Sequence, residues 1–231
     1  ANKLLDEGLI NELILRKKNL GTKNNVYQSV SHVLKKHEYI FVLEDDLEIL
    51  PIAKGTVEAL IKLMNNKVSA FGIYCHKSFS KSFFYSKRFE SQAWGTNRQS
   101  WNEFNPTNTK NINLTINDHS IIKKELGTDL LNDFAKFKKE LLDSWAVPWN
   151  IHNYVNNKLM VYTPFSYIKN NSHCEGAERT KGIEFEYVIA KQPINKINSK
   201  FIKINKNYIK HYTYLARIKR RFKSKIPNFF K

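Results

Sequence analysis

Short, nearly continuous apolar runs alternate with stretches whose apolar residues recur every three or four positions, and that alternation organises the first third of the chain. Residues 12–16 (ELILR) read as a strand, Asn19, Leu20 and Gly21 as a turn, and residues 24–36 as a helix with Val26, Val30, Val33 and Leu34 on one face. A second strand is expected at 39–43 (YIFVL). A helix follows at about 52–64, with Ile52, Val57, Leu60, Ile61 and Met64 at helical spacing, and then a third apolar run at 68–75. Helices of this length between short apolar strands predict an α/β fold, with a mostly parallel sheet covered by helices on both faces.

The pattern is less regular afterwards. Residues 78–91 are aromatic and basic, and residues 92–101 (QAWGTNRQSW), with glycine and arginine between two tryptophans, read as a loop region over a site. Helices are expected at about 118–125 and 128–142, the second opening on an N-cap threonine, and a strand at 158–165 (KLMVYTPF). Near the end, Tyr208, Tyr212, Leu215, Ile218, Phe222 and Ile226 recur at helical spacing among Lys210, Arg217, Arg220, Arg221 and Lys225. That stretch predicts a basic amphipathic helix.

With 231 residues, 42% of them hydrophobic, the chain can bury a substantial core. No run of 18 apolar residues and no signal-peptide pattern is present, which predicts a soluble or peripheral protein. Cys75 and Cys174 have neither metal-type nor redox-type spacing and fit two thiols in a reducing compartment. The net charge of +17 is unevenly placed: after Glu186 there are thirteen Lys and Arg and no acidic residue, so residues 1–186 carry 25 basic against 21 acidic groups. The basic end predicts an anionic partner, either a membrane surface or nucleic acid.

Against this background the acidic triplet Glu44, Asp45 and Asp46 stands out, because it follows directly on the apolar run 39–43. Three adjacent carboxylates repel one another and resist desolvation unless a cation or hydrogen-bond donors balance them. In α/β proteins, ligands bind outside the carboxyl ends of strands. A divalent cation with hard oxygen ligands, Mg2+ or Mn2+, completing its coordination with water and the phosphates of a nucleotide, would resolve the charge. The alternative is a solvated strand-end loop or the acidic start of a helix.

LEDDLE, residues 43–48, resembles the metal and nucleotide-sugar motif of GT-A-type glycosyltransferases, particularly the N-acetylglucosaminyltransferase I family and its bacterial relatives. RKKNLG (16–21), AWGTNRQSW (93–101), DSWAVPW from Asp143 and NNKLMVYTPFSYIKNN ending at Asn171 follow the same order, so the likeness covers roughly residues 13–182. The resemblance implies a GT-A-like, Rossmann-related catalytic domain at 1–205, lacking the usual first strand-helix unit, and a basic segment at 206–231. It implies Asp46 as the metal ligand, and Glu44 and Asp45 with Arg16 and Asn19 as nucleotide contacts. In the implied inverting reaction a metal neutralises the leaving nucleoside diphosphate while a carboxylate takes the proton of the attacking hydroxyl.

The sequence departs from that family at the base. Relatives often carry an aspartate directly after the tryptophan matching Trp145, and here Ala146 stands there. Asp143 is the first substitute, then Glu175 or Glu178; an inactive enzyme or a substituted position are the other readings. His173, in the loop where relatives place a metal-serving histidine, is a second candidate metal ligand. Trp94, Arg98 and Trp145 are candidate acceptor contacts, with core packing as the alternative for the tryptophans.

The expected protein is a metal-dependent glycosyltransferase of bacterial surface-polysaccharide or lipopolysaccharide assembly. It would use a nucleotide diphosphate sugar and a glycan or lipid-linked acceptor, and sit at the cytoplasmic face of the membrane through its basic end. Ala146 keeps open a glycan-binding pseudoenzyme. The +17 charge keeps open a nucleic-acid-binding protein, although the basic residues collect at one end and no nucleic-acid motif appears.

Overall fold

Period-two alternation along the strands sorts their side chains into two cores, and this sorting defines the architecture. The computed structural model describes residues 2–75, 82–171, 188–194 and 196–212. Its strands are β1 (Tyr39–Val42), β2 (Leu47–Ile49), β3 (Val68–Gly72), β4 (Phe84–Ser86), β5 (Trp94–Asn97), β6 (Leu159–Tyr162), β7 (Ile168–Asn170) and β8 (Lys203–Ile204). Ala70, Phe84, Trp94, Met160 and Tyr162 face one core; their strand neighbours Phe71 and Val161 face the other.

Helix α1 (Asn2–Asp6) buries nothing. The first face is covered by α2 (Gly21–Lys36), through Val30 and Leu34, and by α8 (Ala146–Val155), through Trp149. The second is covered by α3 (Ala53–Ile61), through Ala53 and Leu60. Full burial of a side chain such as Leu34 or Leu60 contributes about 2 kcal/mol. Short α4 (Arg98–Asn102) and α5 (Pro106–Thr109) lead to α6 (Ile116–Glu125) and α7 (Thr128–Lys138), which pack with α8 around Ile122, Leu130, Phe134 and Ile151 as a third cluster. Thr115 and Asp118 close a reciprocal capping box at the start of α6.

The α/β class and the helix-flanked sheet are as expected, but the pairing corrects the expectation of a mostly parallel sheet. Among the described residues the order is β1-β5-β3-β6-β4-β8, and β5 runs antiparallel to both β1 and β3. Strands β3 and β6 pair in parallel, as do β4 and β8, whereas β4 opposes β6. The tryptophan-flanked segment read as a loop is therefore a strand and a helix, and the strand, β5, lies between β1 and β3, the second and third strands of the expected pattern.

Residues 12–16 are not a strand. They run beside α2, where Glu12 takes a hydrogen bond from Lys36 and pairs with His32 at 2.8 Å, and Arg16 reaches Ser29. The expected threonine cap of α7 also shifts by one residue: Gly127 holds the N-cap position and Thr128 begins the helix, which ends at Lys138 instead of residue 142. The proposed boundary at 205 does not divide the fold. Strand β8 belongs to the main sheet, and Tyr208 and Ile209 lie in the first core, with the Tyr208 ring 5.1 Å from Phe84 and 5.0 Å from Tyr162. The remainder of the expected C-terminal helix, residues 213–231, lies outside the described residues. Among those described, no helix is long and apolar enough to cross a membrane.

Candidate functional site

At the end of β1 the chain stops being able to form a ladder, because the next residues are carboxylates that need water or a cation. It turns instead: the amide of Leu47 donates to Glu44 O at 3.2 Å, placing Asp45 and Asp46 at the corner. The turn is held from behind by β2, which pairs antiparallel with β7, by the Asn171 amide donating to Asp46 O at 2.8 Å, and by Lys169 against Glu48 at 2.8 Å.

This turn forms one wall of a cleft of about 860 Å³. The other wall is the segment that enters α2. Arg16, Asn19, Glu44, Asp45, Asp46 and Trp145 all line the cleft, with Trp94 at its base. The fold thus brings together seven of the residues singled out from sequence, drawn from four separate stretches of chain. The cleft has polarity: three carboxylates stand on one side, and Arg16, Lys18 and the first turn of α2 on the other.

Within the acidic wall the carboxylates are not equivalent. Asp46 Oδ1 is buried and has no hydrogen-bond partner among the described residues. An ionised oxygen left in this state is costly, and a divalent cation is the natural counterpart. Among the described residues no three His, Cys, Asp or Glu side chains are arranged to hold a metal ion by themselves. A cation at Asp46 would have to complete its coordination with water and ligand oxygens. Glu44 is exposed by its surface area, yet its carboxyl has lost enough hydration to be pushed up to about 7. Burial is the first cause, followed by the negative charges of Asp46, Asp45 and Glu90. Glu90, in the segment between β4 and β5, is a participant that the sequence pattern did not single out.

Asp143 takes a position unlike that of a free base. Its Oδ2 accepts from the amide of Thr22 at 2.5 Å and its Oδ1 from the amide of Lys23 at 3.2 Å. Helix α2 has no local side-chain cap at Leu20, and Asp143 supplies one from the segment before α8. Asn19 shapes the entry to the same helix by accepting from the Gly21 amide at 2.8 Å.

Arg98 is placed away from the cleft. It follows Asn97, which pairs with Tyr39 at the start of β1, and its amide donates to Glu38 O, so at about 3.3 Å of rise per strand residue it sits about 20 Å from Glu44 along the strand. Its Nε donates to Leu34 O at 2.7 Å and His37 O at 3.2 Å, closing the C-terminus of α2, and the expected acceptor contact is corrected to this role. Trp94 and Trp145 are both buried, at 0% and 3% exposure, and stack with centroids 4.6 Å apart. They wall the cleft while belonging to the core. His173, Glu175 and Glu178 lie outside the described residues.

No model of a known protein family matches the chain, and comparison with curated proteins finds no significant match.

Proposed function

We propose that the chain is a metal-dependent glycosyltransferase of GT-A type that uses a nucleotide diphosphate sugar. The observation that carries this reading is the acidic turn at the end of β1, with Asp46 Oδ1 buried and unpartnered, in a cleft that Arg16, Asn19 and the start of α2 also line. Asp46 would hold Mn2+ or Mg2+, which when bound neutralises a diphosphate leaving group. Glu44 and Asp45 would contact the nucleotide, and Arg16 with Lys18 would supply positive charge on the opposite wall. Trp145 and Trp94 would give the cleft an apolar floor against which a ring can lie.

The acceptor reading is a glycan or lipid-linked sugar, with the basic C-terminal segment drawing the protein to an anionic membrane surface on the cytoplasmic side. A binding protein that does not transfer sugar is the second reading. It is favoured by Ala146 and by the engagement of both Asp143 oxygens, which leave neither position of the DSWA stretch as a free base.

The deciding experiment is a thermal-shift screen of nucleotide sugars with and without Mn2+, since a ligand specific to the folded state raises the melting temperature. A metal-dependent rise with one nucleotide supports donor binding, and sugar release in its presence separates transfer from binding. Absence of any rise across all nucleotides rejects the reading.

A further inference from the structure

The capping of α2 ties one wall of the cleft to the segment that leads into Trp145. Asp143 lies two residues before Trp145, which lines the cleft, and its partners are Thr22, which also lines it, and Lys23, 121 and 120 positions away in sequence. The approach is close enough to dictate the residue at position 21. Gly21 adopts φ +71, and a Cβ built there would lie 2.4 Å from Asp143 Oδ2 and 3.1 Å from its Cγ. Both the left-handed backbone and the missing side chain are needed for the carboxylate to reach the helix.

We propose that Asp143 is a positioning residue, a clamp that seats on Gly21 and the first amides of α2 and thereby sets the width of the cleft between the Leu20–Thr22 wall and Trp145. This rests on the reading of the cleft as a nucleoside-diphosphate site. The clamp assigns the DSWA carboxylate to holding the site's shape, in place of the proton transfer that its sequence position suggests. It also explains why α2 needs no cap of its own: a local cap would fix the helix end without fixing its distance from the other wall.

The test uses the full chain in four forms: wild type, Asp143→Ala, Gly21→Ala and the double variant. Affinity for UDP, GDP and CDP is measured with Mn2+ at a temperature where every form is folded, and amide exchange is followed on the same samples. For the diphosphate that binds wild type, each single substitution should weaken binding about fivefold, the effect of losing one helix cap. The double variant should lose no more than either single one, because both break the same contact. Gly21→Ala leaves the Asp143 carboxylate in the protein, so a base or a simple charge would survive it and a clamp would not.

Exchange supplies a readout that needs no ligand. In Gly21→Ala the Val147 and Trp149 amides, which bond to Ser144 Oγ and Trp145 O beside Asp143 at the start of α8, should exchange about tenfold faster, while those of Val30 and Leu34 stay unchanged. If wild type binds a diphosphate and Gly21→Ala binds it equally well, the clamp is overturned. If wild type binds none of the three, the donor-site reading fails instead, and the exchange result alone decides the clamp: undisturbed Val147 and Trp149 amides overturn it.

Discussion

The guanidinium of Arg88 holds the carboxylate of Asp129 in a two-pronged grip, Nη1 to Oδ1 at 3.1 Å and Nη2 to Oδ2 at 2.9 Å, while Nη1 also donates to Leu126 O at 2.7 Å. Asp129 is 1% exposed at its side chain and Arg88 12%, so the pair ties the segment after β4 to the start of α7 from inside the protein. Removing only one partner leaves a buried charge behind. Asp129→Ala should destabilise the fold by about 3 kcal/mol in urea unfolding, well beyond the loss of an exposed pair such as Lys36 with Glu12. Equal losses at the two positions would contradict the burial argument.

Asp46→Asn separates function from stability. It replaces a buried carboxylate oxygen that lacks a partner with an uncharged amide of the same size. The variant should melt at the wild-type temperature or a few degrees above it in the absence of metal. Its Mn2+-dependent thermal shift should disappear. A variant that keeps the full metal response would remove Asp46 from the site.

Acid dependence should follow Glu44. Its carboxyl is raised to about 7 in the folded protein against 4.5 in the unfolded chain. Between these values the folded protein holds a proton that the unfolded chain has released, so this group makes stability fall as pH rises from about 4.5 to about 7. Below that window it contributes nothing, and above it the full penalty is present. Glu44→Gln should flatten this part of the pH–stability curve, and saturating Mn2+ should flatten it in wild type by neutralising the same cluster. A slope that persists in Glu44→Gln would assign the titration to another group.

Gly95 should tolerate no side chain. A Cβ there would lie 2.2 Å from Phe71 Cζ and 2.8 Å from Ile40 O, the second of which is main chain and cannot swing away. Gly95→Ala should cost about 3 kcal/mol, measured as a lower midpoint in chemical denaturation.

The same glycine explains part of what the sequence concealed. Trp94–Asn97 contains a glycine and two polar residues, the composition of a loop, yet it is the fully buried strand β5. Gly95 is there because the Phe71 ring occupies the space over it, a contact between distant residues that no local pattern carries. By contrast Val30 and Leu34 in α2, and Leu60 in α3, were legible, because burial of one helix face imposes a periodicity that remains visible in one dimension.

At the site, the acidic turn could be read because three charges after an apolar run need a reason. The roles of Arg98 and Asp143 could not be read. Each serves a terminus of α2 that is distant in sequence, and no spacing rule connects Asp143 with Thr22 or Arg98 with Leu34. Helix α8 has no visible period for a related reason: its residues are buried almost all round, so no polar face marks it.

All four tryptophans of the chain fall into one contiguous group: Trp94 lies 4.6 Å from Trp145 and 5.9 Å from Trp101, which lies 5.2 Å from Trp149. At such separations an excitation absorbed by any indole passes among all of them before it is emitted. The protein therefore carries a single collective fluorophore with two of its rings at the cleft. A ligand that quenches Trp145 would darken the emission of the whole chain, so binding can be followed without a label, while no single-tryptophan signal can be isolated unless the other three are replaced.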